Sequence, residues 1–234
     1  MTNQERAMNT IKFLGIHFLP ILFLFGCDTA ENSDGAVSLS FSPGSSLQKI
    51  TDGALELTEV KMLLSDIKME MEDGIEEEDG EDGDESYTVR VDPIVINLNL
   101  DGTATNFALA NVPAGLYEEV EFKIHKVGAS ETPPDPEFKE GDDESLRYSV
   151  IAKGNYNTVP FVYKSKKSTH QELEFETPIE ILENSLTNLT ILVDPHSWFY
   201  KDGVLLDPSN PANENDIDNN IKESFKDSDE DEGD

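Results

Sequence analysis

The sequence predicts an all-β protein: a single β-sandwich of about eight strands with one short C-terminal helix, an acidic disordered loop and an acidic disordered tail. Three observations lead there. Apolar residues recur at spacing two in segment after segment, turn residues punctuate those segments, and only one late stretch carries a helical spacing.

The first strand is Ala36 to Phe41, where Val37, Leu39 and Phe41 alternate with serine and alanine. From Leu55 to Met71 the apolar positions fall in three sets: Leu55 and Leu57, then Val60, Met62 and Leu64, then Ile67, Met69 and Met71. The phase slips at Thr58–Glu59 and Ser65–Asp66 predict bulges, or a break between two strands. Tyr87, Val89 and Val91 are followed by Ile94, Ile96, Leu98 and Leu100, with Pro93 marking a kink or a sheet edge. Val120, Phe122 and Ile124 oppose Glu121, Lys123 and His125. "LRYSVIAKGNY" and "TVPFVYKS" read as a pair of strands turning at Gly154–Asn155. Leu173 and Phe175, then Leu189, Ile191 and Val193, supply the last strands. Ile217, Ile221 and Phe225 stand at i, i+4 and i+8, which predicts an amphipathic helix with preceding Asn and Asp residues as N-caps.

Ahead of the strands lies a different kind of segment. Arg6 and Lys12 precede the apolar run Phe13 to Phe25, and Gly26 and Cys27 follow it. A basic start, a short apolar stretch and a small residue before a cut are the pattern of a secretory signal peptide; Met8 is an equally good start. A membrane-spanning helix needs about 20 apolar residues, and Pro20 weakens this run further. "LFGC" (Leu24 to Cys27) resembles the lipobox of bacterial lipoproteins, with Phe25 where a smaller residue is usual. The resemblance implies that the Cys27 thiol takes a diacylglyceryl group and that cleavage frees its amine for a further acyl chain. The competing readings are an ordinary secreted protein or an N-anchored membrane protein. Cys27 is the chain's single cysteine, so it reads as an anchor and not as half of an intramolecular disulfide. The expected organisation is a signal peptide at 1–26, a lipidated tether at 27–35, a sandwich at 36–226 with an acidic loop at 70–86, and an acidic tail at 227–234.

The formal charge is −32; removing residues 1–26 takes away Arg6, Lys12 and Glu5, a net +1, and leaves −33. Such a balance repels nucleic acid and anionic membrane surfaces and suits cations or basic partners. It is concentrated in two blocks, Glu70 to Glu85 and Asp227 to Asp234, of the kind that stay solvated.

Catalytic patterns are absent from the sequence: no G-x-S-x-G, no P-loop and no H-E-x-x-H occurs. Of the mature histidines, His125 reads as a surface residue and His170 as part of a polar turn, while His196 stands close to Asp194 and Trp198. The expected protein is therefore not an enzyme. Calcium is the one cofactor the composition suggests, since hard cations take carboxylate and carbonyl oxygens. Asp202, Asp207, Asp216 and Asp218 are the candidate ligands; the Glu76–Glu85 loop and the tail, with Asp227, Asp229 and Asp231 at EF-hand spacing, are further places for it. Trp198 and Tyr200 are candidates for stacking on a sugar, or else plug one end of the core.

"FALANVPAGLYEEVEFKI" (Phe107 to Ile124) has a strand, the turn V-P-A-G-x-Y and a second strand. It resembles a recurrent element of uncharacterised bacterial envelope lipoproteins with immunoglobulin-like or transthyretin-like β-sandwiches. "VIAKGNYNTVPFVYKS" and the stretch from Val193 to Phe225 are similar to later parts of such proteins. The resemblance implies the fold, a lipid bilayer held through Cys27, an outer-membrane location and a protein or glycan partner. It implies no catalytic residue. An Asp at the position after the lipidated cysteine, here Asp28, is an inner-membrane signal in enterobacteria and does not transfer to other phyla.

Overall fold

Val37, Leu39 and Phe41 leave β1 (Asp34–Pro43) on one side and are fully buried, because alternate residues of a strand share a face. The computed structural model describes residues 34–43, 54–72 and 86–227. The signal-peptide segment with Cys27, most of the tether, the acidic loop from 73 to 85 and the tail from 228 lie outside those residues. β1 runs parallel to β10 (Leu186–Val193) and antiparallel to β5 (Thr105–Pro113). With β13 (Phe225–Asp227) beyond β10, these strands form the smaller sheet.

The larger sheet is built on β2 (Leu55–Met71), a single strand of 17 residues. β3 (Ser86–Arg90) and β4 (Ile94–Asn97) pair in succession along one side of it, broken at Pro93 as expected. On the other side, the first half of β2 pairs with β7 (Val150–Tyr156) and the second half with β6 (Gly115–Ile124). β8 (Val159–Ser165) lies beyond β7, and β9 (Thr169–Ile181) lies beyond β6. The sheet therefore forks along β2. Both phase slips in the sequence are bulges at this spine, between Leu57 and Glu59 against β7 and between Ser65 and Lys68 against β6. Asp66 takes a positive φ of 53° at the second. Glu70 pairs with Ser86, so the acidic segment joins the two strands of an antiparallel hairpin.

Two local expectations are corrected. The β7–β8 turn is at Asn157–Thr158, with φ of 49° and 69°, and not at Gly154–Asn155. A two-residue hairpin of that type needs positive φ at both central residues, which Asn accepts readily. Gly154 sits within β7 opposite Leu57, where a Cβ would run into the Glu56 carbonyl oxygen. The helix α1 (Glu214–Lys222) buries Ile217 and Ile221, but Phe225 has left it and belongs to β13. Asn213 gives α1 no side-chain cap. Asn210 instead accepts the Ala212 N–H at 3.1 Å and caps the 3-10 turn Pro211–Asn213 ahead of it.

Between the sheets, Phe41 stacks on Phe107 at 4.4 Å and meets Phe122 edge-on at 5.6 Å; Phe225 closes the group 5.5 Å from Phe122. β5 and β6 belong to different sheets, so the V-P-A-G-x-Y turn carries the chain across the sandwich. Tyr117 is fully buried there and its Oη donates to the Pro113 carbonyl at 2.9 Å, holding the crossing shut. The four consecutive buried residues Met62 to Ser65 show that β2 is covered on both faces at the fork. Leu63 and Ile151 point away from the main core and meet Val127, Phe138 and Tyr148 in a second, smaller one. Val127, Phe138 and Tyr148 all come from the segment 125–149 that joins β6 to β7. Among the described residues no helix is long and apolar enough to cross a membrane.

Candidate functional site

The outer face of the larger sheet carries charged side chains on both arms of the fork, arranged differently on each. On the β7 side, Lys61 Nζ lies 2.8 Å from Asp135 and 2.9 Å from Glu137. Lys153 Nζ reaches Glu137 at 2.6 Å and Glu59 at 2.8 Å. Asp135 and Glu137 sit on a 3-10 turn in the covering segment, where Asp135 also accepts the Glu137 N–H. Hydrogen bonds from Lys61 to Asp135, and from Lys153 and Lys61 to Glu137, hold both carboxyls below their usual range; the same bonds raise Lys61.

The β6 side is different. Register places Glu70 beside Glu119, Glu119 beside Glu174, and Glu121 beside Glu172. One carboxylate oxygen each from Glu70, Glu119 and Glu121 comes within 4.8 Å of the others, the one such convergence of potential metal ligands among the described residues. Burial raises the Glu119 carboxyl above its ordinary value, and repulsion from Glu121, Glu172, Glu174 and Glu118 adds to it. His170 Nε2 lies 3.1 Å from Glu121 and 3.5 Å from Glu172 at the rim of this patch. A hard divalent cation fits three such oxygens chemically, with water completing its shell.

The residues expected from sequence to bind calcium are not brought together. Asp216 pairs with Lys201 at 2.7 Å, and Asp207 accepts the Ser209 N–H at 2.8 Å within a turn. Asp202 occupies a tight turn at a φ of 52° between β11 (Tyr200–Lys201) and β12 (Val204–Leu205). Asp218 is buried and accepts the Tyr163 hydroxyl at 2.7 Å. Asp207, Asp216 and Asp218 thus each hold a separate partner in the protein.

Trp198 is no stacking platform. Its ring is fully buried, its Nε1 donates to Ser224 Oγ at 2.7 Å, and it plugs one end of the core with Phe199. Tyr200 is half-buried on β11, and Asn220 of α1 donates to its carbonyl and to that of Trp198. The histidines are also reassigned. His125 is largely covered, with Nε2 2.8 Å from Glu131, and His170 stands on β9. His196 is buried, which lowers its pKa against the opposing pull of Asp194. The Asp194 carboxylate accepts the N–H groups of His196 and Ser197, so it caps a turn and does not orient the imidazole.

Sequence reasoning missed the Glu70–Glu119–Glu121 group. The outward alternation of Glu121 was visible, but joining it to Glu70 required the β2–β6 register across a bulge.

Fold and site together define a class: an all-β sandwich with a charged, forked larger sheet and a small helix packed at one end. No family model, no curated protein and no solved structure matches this chain.

Proposed function

We propose that this chain is a lipid-anchored bacterial envelope protein, and that its sandwich is a non-catalytic module for binding or structural roles at the outer membrane. One observation carries the reading: "LFGC" ends an apolar run at the only cysteine, seven residues before β1 begins at Asp34. Seven residues span at most about 25 Å, so an acylated Cys27 would keep the domain close to the bilayer. Two or three acyl chains, at about 0.8 kcal/mol per buried methylene, give a stable anchor.

Metabolic labelling with an alkyne-bearing palmitate in a bacterial host tests this. The wild-type chain is expected to take the label and fractionate with membranes, and Cys27→Ser to lose both properties. An unlabelled wild type, or a labelled Cys27→Ser chain, would overturn the anchor.

A calcium-stabilised module is the second reading, and the Glu70–Glu119–Glu121 convergence is what favours it. Its test is thermal unfolding with calcium against chelator, at matched ionic strength. Of the two residues expected to stack on a sugar, Trp198 is buried and Tyr200 is half-buried.

A further inference from the structure

Among the described residues, β8 is the outermost strand on its side of the larger sheet and pairs only with β7. In a two-residue hairpin the residues flanking the turn, Tyr156 and Val159, form a hydrogen-bonded pair, and such pairs alternate along the ladder. Val159, Phe161, Tyr163 and Ser165 therefore spend their backbone groups on β7. Pro160, Val162 and Lys164 aim theirs at the open edge. Pro160 fits this register, since its missing N–H would have faced outward.

Edge strands are commonly protected by proline and by a free lysine. Here Pro160 blunts only the turn-proximal end. The Lys164 side chain is folded back, with Nζ 2.6 Å from Glu140 and 4.7 Å over the Tyr148 ring, so its charge is held off the edge. Between them Val162 is 55% exposed. Among the described residues, the N–H and carbonyl of Val162 and the carbonyl and N–H of Lys164 face a neighbouring position that no strand fills.

A second observation lies directly alongside. A cleft of about 440 Å³ runs beside β8, with Val162 and Tyr163 on one wall and Pro208 to Pro211 on the other. Its volume is in the range that binding sites use, about 300–1,000 Å³. The charges in it are already paired, Lys164 with Glu140 and Lys166 with Glu214. Local ion pairs thus leave the choice of partner to the long-range field of a chain carrying −32, which draws in cations.

We infer that the open edge of β8 and the cleft beside it form a docking groove for an extended, basic peptide segment of a partner protein, which adds to the larger sheet as a further strand. Main-chain bonds to Val162 and Lys164 hold the peptide, and an apolar side chain packs beside Val162 against the cleft wall. The inference rests on the reading of the sandwich as a binding module and supplies its partner's chemistry; it is independent of the anchor.

The probe is a fluorescein-labelled octapeptide alternating lysine with valine, titrated against the full chain in detergent micelles. Two control peptides carry glutamate for lysine, or proline at alternate valines. The lysine peptide is expected to bind, and both controls to bind at least ~10-fold more weakly, about 1.4 kcal/mol. Amide exchange at Val162 and Lys164 should slow on binding. Val162→Pro, which removes an edge donor that β7 does not use, should weaken binding ~10-fold or more. Should that variant unfold, Ser209→Trp narrows the cleft from an exposed loop position and should have the same effect. No binding at millimolar peptide, equal binding of the controls, or binding indifferent to Ser209→Trp would overturn the groove. Loss of palmitate labelling with peptide binding intact would overturn only the anchor.

Discussion

Two patches flank the same strand on the same outer face, and the sequence treats them oppositely. Where β2 pairs with β7, the segment 125–149 folds over the sheet, buries Leu63, Ile151 and Phe138, and brings Asp135 and Glu137 to Lys61 and Lys153, with Glu59 of β2 beside Lys153. Where β2 pairs with β6, register sets Glu70, Glu119, Glu121, Glu172 and Glu174 side by side, with Lys68 opposite Glu121 and His170 at the rim. One patch is built for stability. The other bears like charges at a cost of roughly 0.2–1 kcal/mol for each directly opposed pair.

Phe138 carries the most stability in the covered patch. Phe138→Ala removes a fully buried ring from the small second core and should lower unfolding free energy by about 3–5 kcal/mol in a denaturant titration. Glu174→Ala, on the uncovered side, should stay within about 0.5 kcal/mol. Similar effects for both would mean that the covering segment does not contribute to the fold.

Next comes Lys61→Met, which leaves Asp135 without its lysine while Glu137 keeps Lys153. A loss of about 1–3 kcal/mol is expected, as for a partly buried acid deprived of its partner. Double substitution with Asp135→Asn should recover part of it, and purely additive losses would show that the two groups are uncoupled.

Calcium sharpens the contrast from the other side. At a calcium concentration ten times a millimolar dissociation constant, stabilisation is about 1.4 kcal/mol, or a few degrees of melting temperature. Glu119→Gln should abolish the rise. A flat melt would leave the acidic row as solvated surface.

The smallest effect is in pH dependence, and the two patches have opposite signs. Asp135 and Glu137 are lowered from 3.8 and 4.5, so their contribution is present above those values and is lost as pH falls through the lowered ones. Glu119 is raised from 4.5, so its contribution favours the fold below that value and is lost as pH rises through the raised one. Glu119→Gln should therefore gain less than about 1 kcal/mol near pH 7 and nothing near pH 3. A gain of equal size at both pH values would point to packing and not charge.

Much of the fold was legible because strand alternation is a local signal. Val37, Leu39 and Phe41, or Val120, Phe122 and Ile124, announce an inward face without reference to any partner. The two slips in β2 were legible for the same reason. Helix periodicity misled at Phe225, since a spacing of four continued past the end of α1 at Lys222. Trp198 was ambiguous because an aromatic side chain satisfies a sugar face and a core equally well, and only depth separates the two. The Asp202–Asp218 segment looked like a ligand set because composition counts acids and is blind to the turns and lysines that occupy them.

The residues in order determined most of the strands, their inward faces, the positions of the two slips in β2 and the apolar segment ending at Cys27, since each is written in neighbouring residues. Tertiary structure alone decided that β1 lies parallel to β10, that β2 forks the larger sheet, and that Glu70 meets Glu119 while Lys61 meets Asp135. Those outcomes depend on register between residues far apart in the chain. A shift of one residue in any such pairing would exchange the buried face for the exposed one, so the pairing is chosen by the whole core and by no single segment.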